Sequence, residues 1–105
     1  MKNLQDMTDE ELALSYADGN NRAFDLLLLR NQSKLFSYIL FVVHDRETAE
    51  DIFQETFVKV ITRLQEGRYT VSGKFGAWIM RIAHNAIMDW YRDQAALRTV
   101  DTSAD

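Results

Sequence analysis

Five side chains toward the carboxyl-terminal end, Lys74, Trp78, Arg81, Asn85 and Arg92, follow one another at intervals of four, three, four and seven residues. On a helix those intervals place them along one side. Their chemistry suits a nucleic acid. Lysine and arginine meet phosphates, asparagine can read a base edge, and an aromatic plane can stack an unpaired base for ~1–3 kcal/mol. Just upstream, Arg68 and Tyr69 add another cation and another ring. Each residue also has a plainer explanation. Trp78 adjoins Ile79 and Ile82 and suits a core equally well, and Arg81 and Arg92 could simply solvate a helix. Only the combination points to a ligand.

Other chemistry has little to stand on. The chain has no glycine-rich phosphate cradle, no cysteine and no serine in a nucleophile motif. His44 and His84 are far apart, and neither belongs to a glutamate-x-x-histidine unit of the kind that builds a metal bundle. No enzymatic activity, metal or cofactor is expected.

The elements that must position these residues are helical, because the chain has no proline and only four glycines. Thr8 and Glu11 form a capping box ahead of Leu12, Ala13 and Tyr16, and Gly19 and Asn20 end that first helix. Asn20 or Asn21 can cap a second helix reaching about Val43. One of its apolar stripes runs Phe24, Leu27, Leu28, Leu35, Ile39 and Val42; another runs Leu26, Leu29, Phe36, Leu40 and Val43. Two sides want covering, which predicts a central helix.

Asp45 can cap a third helix in which Ala49, Ile52, Phe53, Thr56, Phe57, Val60, Ile61 and Leu64 repeat at helical spacing. Its opposite side carries Glu47, Glu50, Asp51, Gln54, Glu55 and Val58, suited either to solvent or to a partner. A loop is expected from Gln65 to Gly73. The fourth helix, Lys74 to Arg92, should bury Phe75, Ile79, Ile82, Ala83, Ala86, Ile87 and Trp90. The expected fold is all-α, a compact bundle of four helices with a loop before the last. One domain over residues 1–98 is expected, followed by a polar tail or linker start at 99–105.

Charge is unevenly spread. The net of −4 excludes a protein that coats DNA by bulk electrostatics. Met1 to Glu66 holds 7 basic and 12 acidic residues, whereas Gly67 to Arg92 holds 4 basic residues against Asp89 alone. Two surfaces, and so two partners, are expected. Without cysteine the chain tolerates a reducing compartment, and its first eight residues are polar and acidic. No apolar run is expected to serve as a membrane span, and the cytoplasm is the expected location.

Two stretches resemble a known family. Ala49-Glu50-Asp51-Ile52-Phe53-Gln54-Glu55-Thr56-Phe57-Val58-Lys59-Val60, then Phe75-Gly76-Ala77-Trp78-Ile79-Met80-Arg81-Ile82-Ala83-His84-Asn85-Ala86-Ile87-Met88-Asp89-Trp90-Tyr91-Arg92, are similar to region 2 of bacterial sigma-70-type factors of the extracytoplasmic-function (ECF) group. The similarity runs from about Thr8 to Arg92. It implies that the acidic helix docks on the clamp helices of the RNA polymerase beta-prime subunit through Glu50, Asp51, Gln54, Glu55, Phe57 and Val58. It further implies that the loop and fourth helix open the promoter minus-10 element and hold its single-stranded non-template strand with one base turned out. The DNA-binding set so implied is Arg68, Tyr69, Ser72, Lys74, Phe75, Trp78, Arg81, Asn85 and Arg92. An anti-sigma factor is a further implied partner.

Two departures stand out. Gly76 occupies a position where family members often carry a basic or polar residue. The family's second DNA-binding domain, a helix-turn-helix that reads the minus-35 element, has no counterpart in these residues, so region 2 alone is expected to position polymerase poorly. A competing reading is a helical adapter that docks another helix through the second apolar stripe, distinguished by indifference to DNA.

Overall fold

The computed structural model describes the backbone of residues 3–69 and 74–103, with side chains as far as Leu97. After a 3-10 turn at Leu4–Asp6 come four helices: α1 (Asp9–Ala17), α2 (Asn21–Val43), α3 (Arg46–Gln65) and α4 (Phe75–Ser103). The fold is the all-α four-helix bundle expected.

Local capping chemistry explains the helix starts. Thr8 Oγ1 accepts the Glu11 N–H at 3.2 Å while Glu11 Oε1 accepts the Thr8 N–H at 2.9 Å, completing the capping box of α1. Asn20 Oδ1 accepts the Arg22 N–H at 3.2 Å to cap α2. At α3, Asp45 Oδ2 accepts both the Thr48 hydroxyl at 2.6 Å and the Thr48 N–H at 2.9 Å. Those two bonds, the hydroxyl's first, hold the Asp45 carboxyl below its ordinary value of 3.8.

Helix ends are equally local. Gly19 N–H reaches Tyr16 O at 2.9 Å and Asn20 N–H reaches Ser15 O at 3.0 Å; Gly67 N–H and Arg68 N–H make the same pair of bonds to Leu64 O and Arg63 O, at 3.1 and 2.8 Å. Both are Schellman closures, and the left-handed φ values of +106° at Gly19 and +69° at Gly67 are what glycine permits. The second one fixes the direction in which the chain leaves α3 toward Tyr69.

Helix α2 is central, packing against α1, α3 and α4. Leu27, Leu35 and Ile39 are buried on it, and Leu12, Ile52, Val60 and Ile87 meet them from the other three. Ala49, Ala83 and Ala86 are wholly buried and let the helices approach closely. Thr56, the one buried polar side chain that is not aromatic among the described residues, donates its hydroxyl to Ile52 O at 2.8 Å and so is satisfied.

Three expectations need correction. Helix α4 does not stop near Arg92; its backbone stays helical to Ser103, including Thr99–Ser103 of the expected tail, because nothing from Asp93 onward is a glycine or proline and Gln94 to Arg98 are good helix formers. The second stripe of α2 is only partly covered: Leu26, Phe36, Leu40 and Val43 pack at the core's edge, but Leu29 stays exposed. Finally, Asn21–Val43 is long and apolar enough to cross a membrane, with an 18-residue window of mean hydropathy 1.3, contrary to the expectation that no segment would be. Ala23, Leu27, Leu35 and Ile39 of this helix are buried and several of its other apolar side chains pack partly against the core, while Leu29 and Phe41 stay exposed.

Candidate nucleic-acid interface and the acidic face beside it

The first turns of α4 present the basic face. Lys74, Ala77, Trp78 and Arg81 line a shallow depression of about 190 Å³. Lys74 and Arg81 are exposed, and neither makes an ion pair among the described residues. Asn85 is exposed further along the same side. With neither cation paired to a carboxylate among the described residues, an incoming phosphate would replace water.

Trp78, left open between core and surface, is half-buried. Its ring centroid lies 4.7 Å from Tyr69 and 5.6 Å from Phe75, and Tyr69 meets Phe75 edge-on at 5.4 Å. Aromatic pairs at such separations are worth ~0.5–1.5 kcal/mol beyond their burial. Phe75 forms the base of this cluster and is only 1% exposed, so its side chain supports the other two and does not reach a ligand. The reason is position: it opens α4 on the same stripe as Ile79 and Ile82. Ser72 lies outside the described residues.

The remaining cations are already engaged. Arg68 Nη1 is 3.3 Å from Glu66 and Arg92 Nη2 is 3.4 Å from Asp89. With both arginines well exposed these pairs are worth ~0–1 kcal/mol and exchange readily for phosphate. Asp89 also takes Lys59 Nζ from α3 at 3.5 Å.

On α3, Glu50, Asp51, Gln54, Glu55 and Val58 are all exposed as expected. Phe57 is not: it is 8% exposed and packs on Phe53 at 4.9 Å and on Phe24 at 6.0 Å. It contributes instead to the floor of a groove of about 380 Å³ between α2 and α3, lined by Leu28, Gln32, Phe36, Glu50, Phe53, Gln54 and Phe57. Arg46 sits beside two of these lining residues, its guanidinium 5.6 Å above the Phe36 ring and 3.3 Å from Glu50. An apolar trough with a carboxylate and amide rim fits an amphipathic helix bearing basic residues.

One polar residue at the aromatic cluster escaped the sequence reasoning. Glu10, in the first turn of α1, accepts hydrogen bonds from the Tyr69 hydroxyl and from the Phe75 N–H. No periodicity or spacing links it to residues so far along the chain.

Known proteins resemble this chain in sequence and fold. The family model for Sigma-70 region 2 matches residues 27–97. The RNA polymerase sigma-H factor of Pseudomonas aeruginosa is 39% identical over 77 residues, which cover 73% of this chain and 39% of that protein. The RNA polymerase sigma factor CarQ of Myxococcus xanthus is 36% identical over 89 residues, 85% of this chain and 48% of that one. The chain thus spans less than half the length of these relatives. An NMR structure of an engineered region 2 of sigmaE in complex with GTAAAA is similar with a TM-score of 0.75 and 30% identity, covering 85% of this chain and 90% of that one.

Proposed function

This chain belongs to the sigma-70 region 2 family, and from that premise we propose that it is a transcription-initiation module with two working faces. The acidic face of α3 and the adjoining groove dock on the clamp helices of the RNA polymerase beta-prime subunit. The basic face of α4, with Tyr69, captures the single-stranded non-template strand of the promoter minus-10 element. The role is binding and strand capture, in the cytoplasm where transcription takes place, and an anti-sigma factor covering either face would silence it.

The observation that carries this reading is the Lys74–Trp78–Arg81 depression, two unengaged cations around a half-buried ring, on a fold similar to one that has been solved with GTAAAA. A ring held between Tyr69 and Phe75 is preorganised for a base, and cations on either side suit the flanking phosphates. The exposed acids Glu50, Asp51 and Glu55 on α3 would steer a basic coiled coil to that side of the molecule.

Fluorescence anisotropy with labelled GTAAAA, its complement and a scrambled hexamer tests the DNA half: tighter binding of GTAAAA is expected, with a salt slope near about −2 to −3, or ~0.7 per phosphate for three or four contacts. Equal binding of all three would remove it. Capture by immobilised beta-prime clamp helices tests the other half. Asp51→Arg with Glu55→Arg should abolish capture while the circular dichroism spectrum stays helical, and intact capture would defeat the docking assignment. The adapter reading, which the apolar groove alone would also suit, predicts capture with no preference among the hexamers.

A further inference from the structure

Glu10 does two things at once. Its Oε1 accepts the Phe75 N–H at 2.6 Å, and its Oε2 accepts the hydroxyl of Tyr69. These partners lie 65 and 59 residues away along the chain.

The Phe75 amide is one of the donors that the start of any helix leaves without an intrahelical partner. A serine, threonine, aspartate or asparagine just before the helix would normally accept one of them. Here the preceding residue is Lys74, whose ammonium has no acceptor to offer. Glu10 supplies the missing carboxylate from another helix, where its negative charge also suits the positive end of the α4 dipole. The same carboxylate pins the Tyr69 ring, which leans on both Trp78 and Phe75. One side chain therefore joins the chain leaving α3 to the chain entering α4, and sets the face that Tyr69 and Trp78 show to solvent.

We propose that Glu10 is a positioning residue for base recognition: it holds Tyr69 against Trp78 and caps α4 from α1, so that the aromatic wall is in place before a strand arrives. This rests on the reading of α4 as the DNA-binding face. Lys74 gains from the arrangement as well. Because Glu10 takes over the capping role, the position before α4 can carry a cation for phosphate. Glu10 lies outside residues 27–97, the stretch matched by the family model.

The test uses the full chain and four variants: Glu10→Ala, Glu10→Gln, Tyr69→Phe and the double variant Glu10→Ala with Tyr69→Phe. Glu10→Ala is expected to lower affinity for GTAAAA by roughly tenfold, the equivalent of one lost charge-assisted hydrogen bond, while the scrambled hexamer and clamp-helix capture change by less than about twofold. Glu10→Gln keeps an acceptor for Phe75 and a partner for Tyr69 and should restore most of the preference. The double variant should be no worse than Glu10→Ala, because both act through one contact. In NMR spectra of the free protein, Glu10→Ala should deprotect the Phe75 amide and shift the Trp78 indole as the Tyr69 ring current moves.

If the parent prefers GTAAAA and Glu10→Ala prefers it equally, the positioning role is overturned and the DNA reading stands. If the parent has no preference, both fall. Unchanged Phe75 protection and Trp78 shift in the variants would overturn the positioning role whatever the DNA titration gives. Should Glu10→Ala not fold, Glu10→Gln and Tyr69→Phe carry the comparison: retained parent-like preference and an unshifted Trp78 signal in Tyr69→Phe would overturn it.

Discussion

Lys59 on α3 and Asp89 on α4 meet at 3.5 Å, and this contact is where the acidic and basic faces of the molecule join. Lys59 is shared with Glu55 on its own helix, also at 3.5 Å, while Asp89 is shared with Arg92 at 3.4 Å. Four alternating charges thus run from the proposed polymerase face to the proposed DNA face. The side chains are between about a quarter and three-quarters exposed, so the chain of pairs adds little stability, ~0–1 kcal/mol per pair. Its effect is on where charge is available.

Asp89→Asn removes an acid from the basic side and frees Arg92, while Lys59 keeps its pair with Glu55. Affinity for any single-stranded hexamer should rise about two- to fivefold, and the salt slope should steepen by about 0.7, one further phosphate contact. Anisotropy titrations from low to moderate salt would check this, and an unchanged slope would mean that Arg92 does not reach the strand.

Base reading and phosphate contact should separate cleanly by residue. Asn85→Ala is expected to narrow the gap between GTAAAA and a scrambled hexamer, whereas Arg81→Ala should weaken both alike, by about 1 kcal/mol, and flatten the slope. Arg81 makes no ion pair among the described residues, so its loss leaves no carboxylate stranded. Parallel titrations of the two variants decide the matter; a sequence-selective Arg81→Ala would reverse the assignment.

Gly76 is exposed in the first turn of α4, and nothing lies within 4 Å of where a Cβ would stand. Gly76→Ala should therefore stabilise the fold by up to ~1 kcal/mol through helix propensity and reduced freedom of the unfolded chain. Gly76→Lys should bind every hexamer more tightly than Gly76→Ala does. Thermal unfolding and anisotropy on the same two variants separate these effects.

The cap of α3 should show itself in acid. Thr48 holds the Asp45 carboxyl below 3.8 in the folded chain, so its charge contributes stability above that value and loses it as pH falls through the lower folded one. Asparagine caps a helix nearly as well without a charge. The melting temperature of the parent should exceed that of Asp45→Asn near neutral pH, and the difference should shrink toward zero as pH falls from 3.8 through the lower folded value. A difference independent of pH would show that the carboxylate's charge is not what matters.

Much of the fold was legible because it is built from short-range chemistry. Thr8 with Glu11, Asn20 with Arg22, and Asp45 with Thr48 are partners two or three residues apart, and the glycines at 19 and 67 close their helices through equally local bonds. The end of α4 was missed for the complementary reason: from Asp93 onward no residue issues a stop, and composition alone suggested a tail where the helix in fact runs to Ser103. Periodicity places Phe57 and Phe75 on apolar stripes and the family resemblance places them at binding surfaces; both are buried, so the periodicity is the better guide to their side chains.

What the amino-acid sequence determined by itself was the set of helices, their caps, the central place of α2 and the segregation of acidic from basic residues. Each depends on groups a few positions apart, whose meeting costs little chain entropy. Tertiary structure alone decided that Trp78 is half-buried against Tyr69, that Lys59 bridges to Asp89, and that Glu10 caps a helix beginning 65 residues later. Those contacts exist only once the buried core of Leu27, Ile39, Val60 and Ile87 has brought the four helices together. Without that apolar burial, no local preference would close loops of such length.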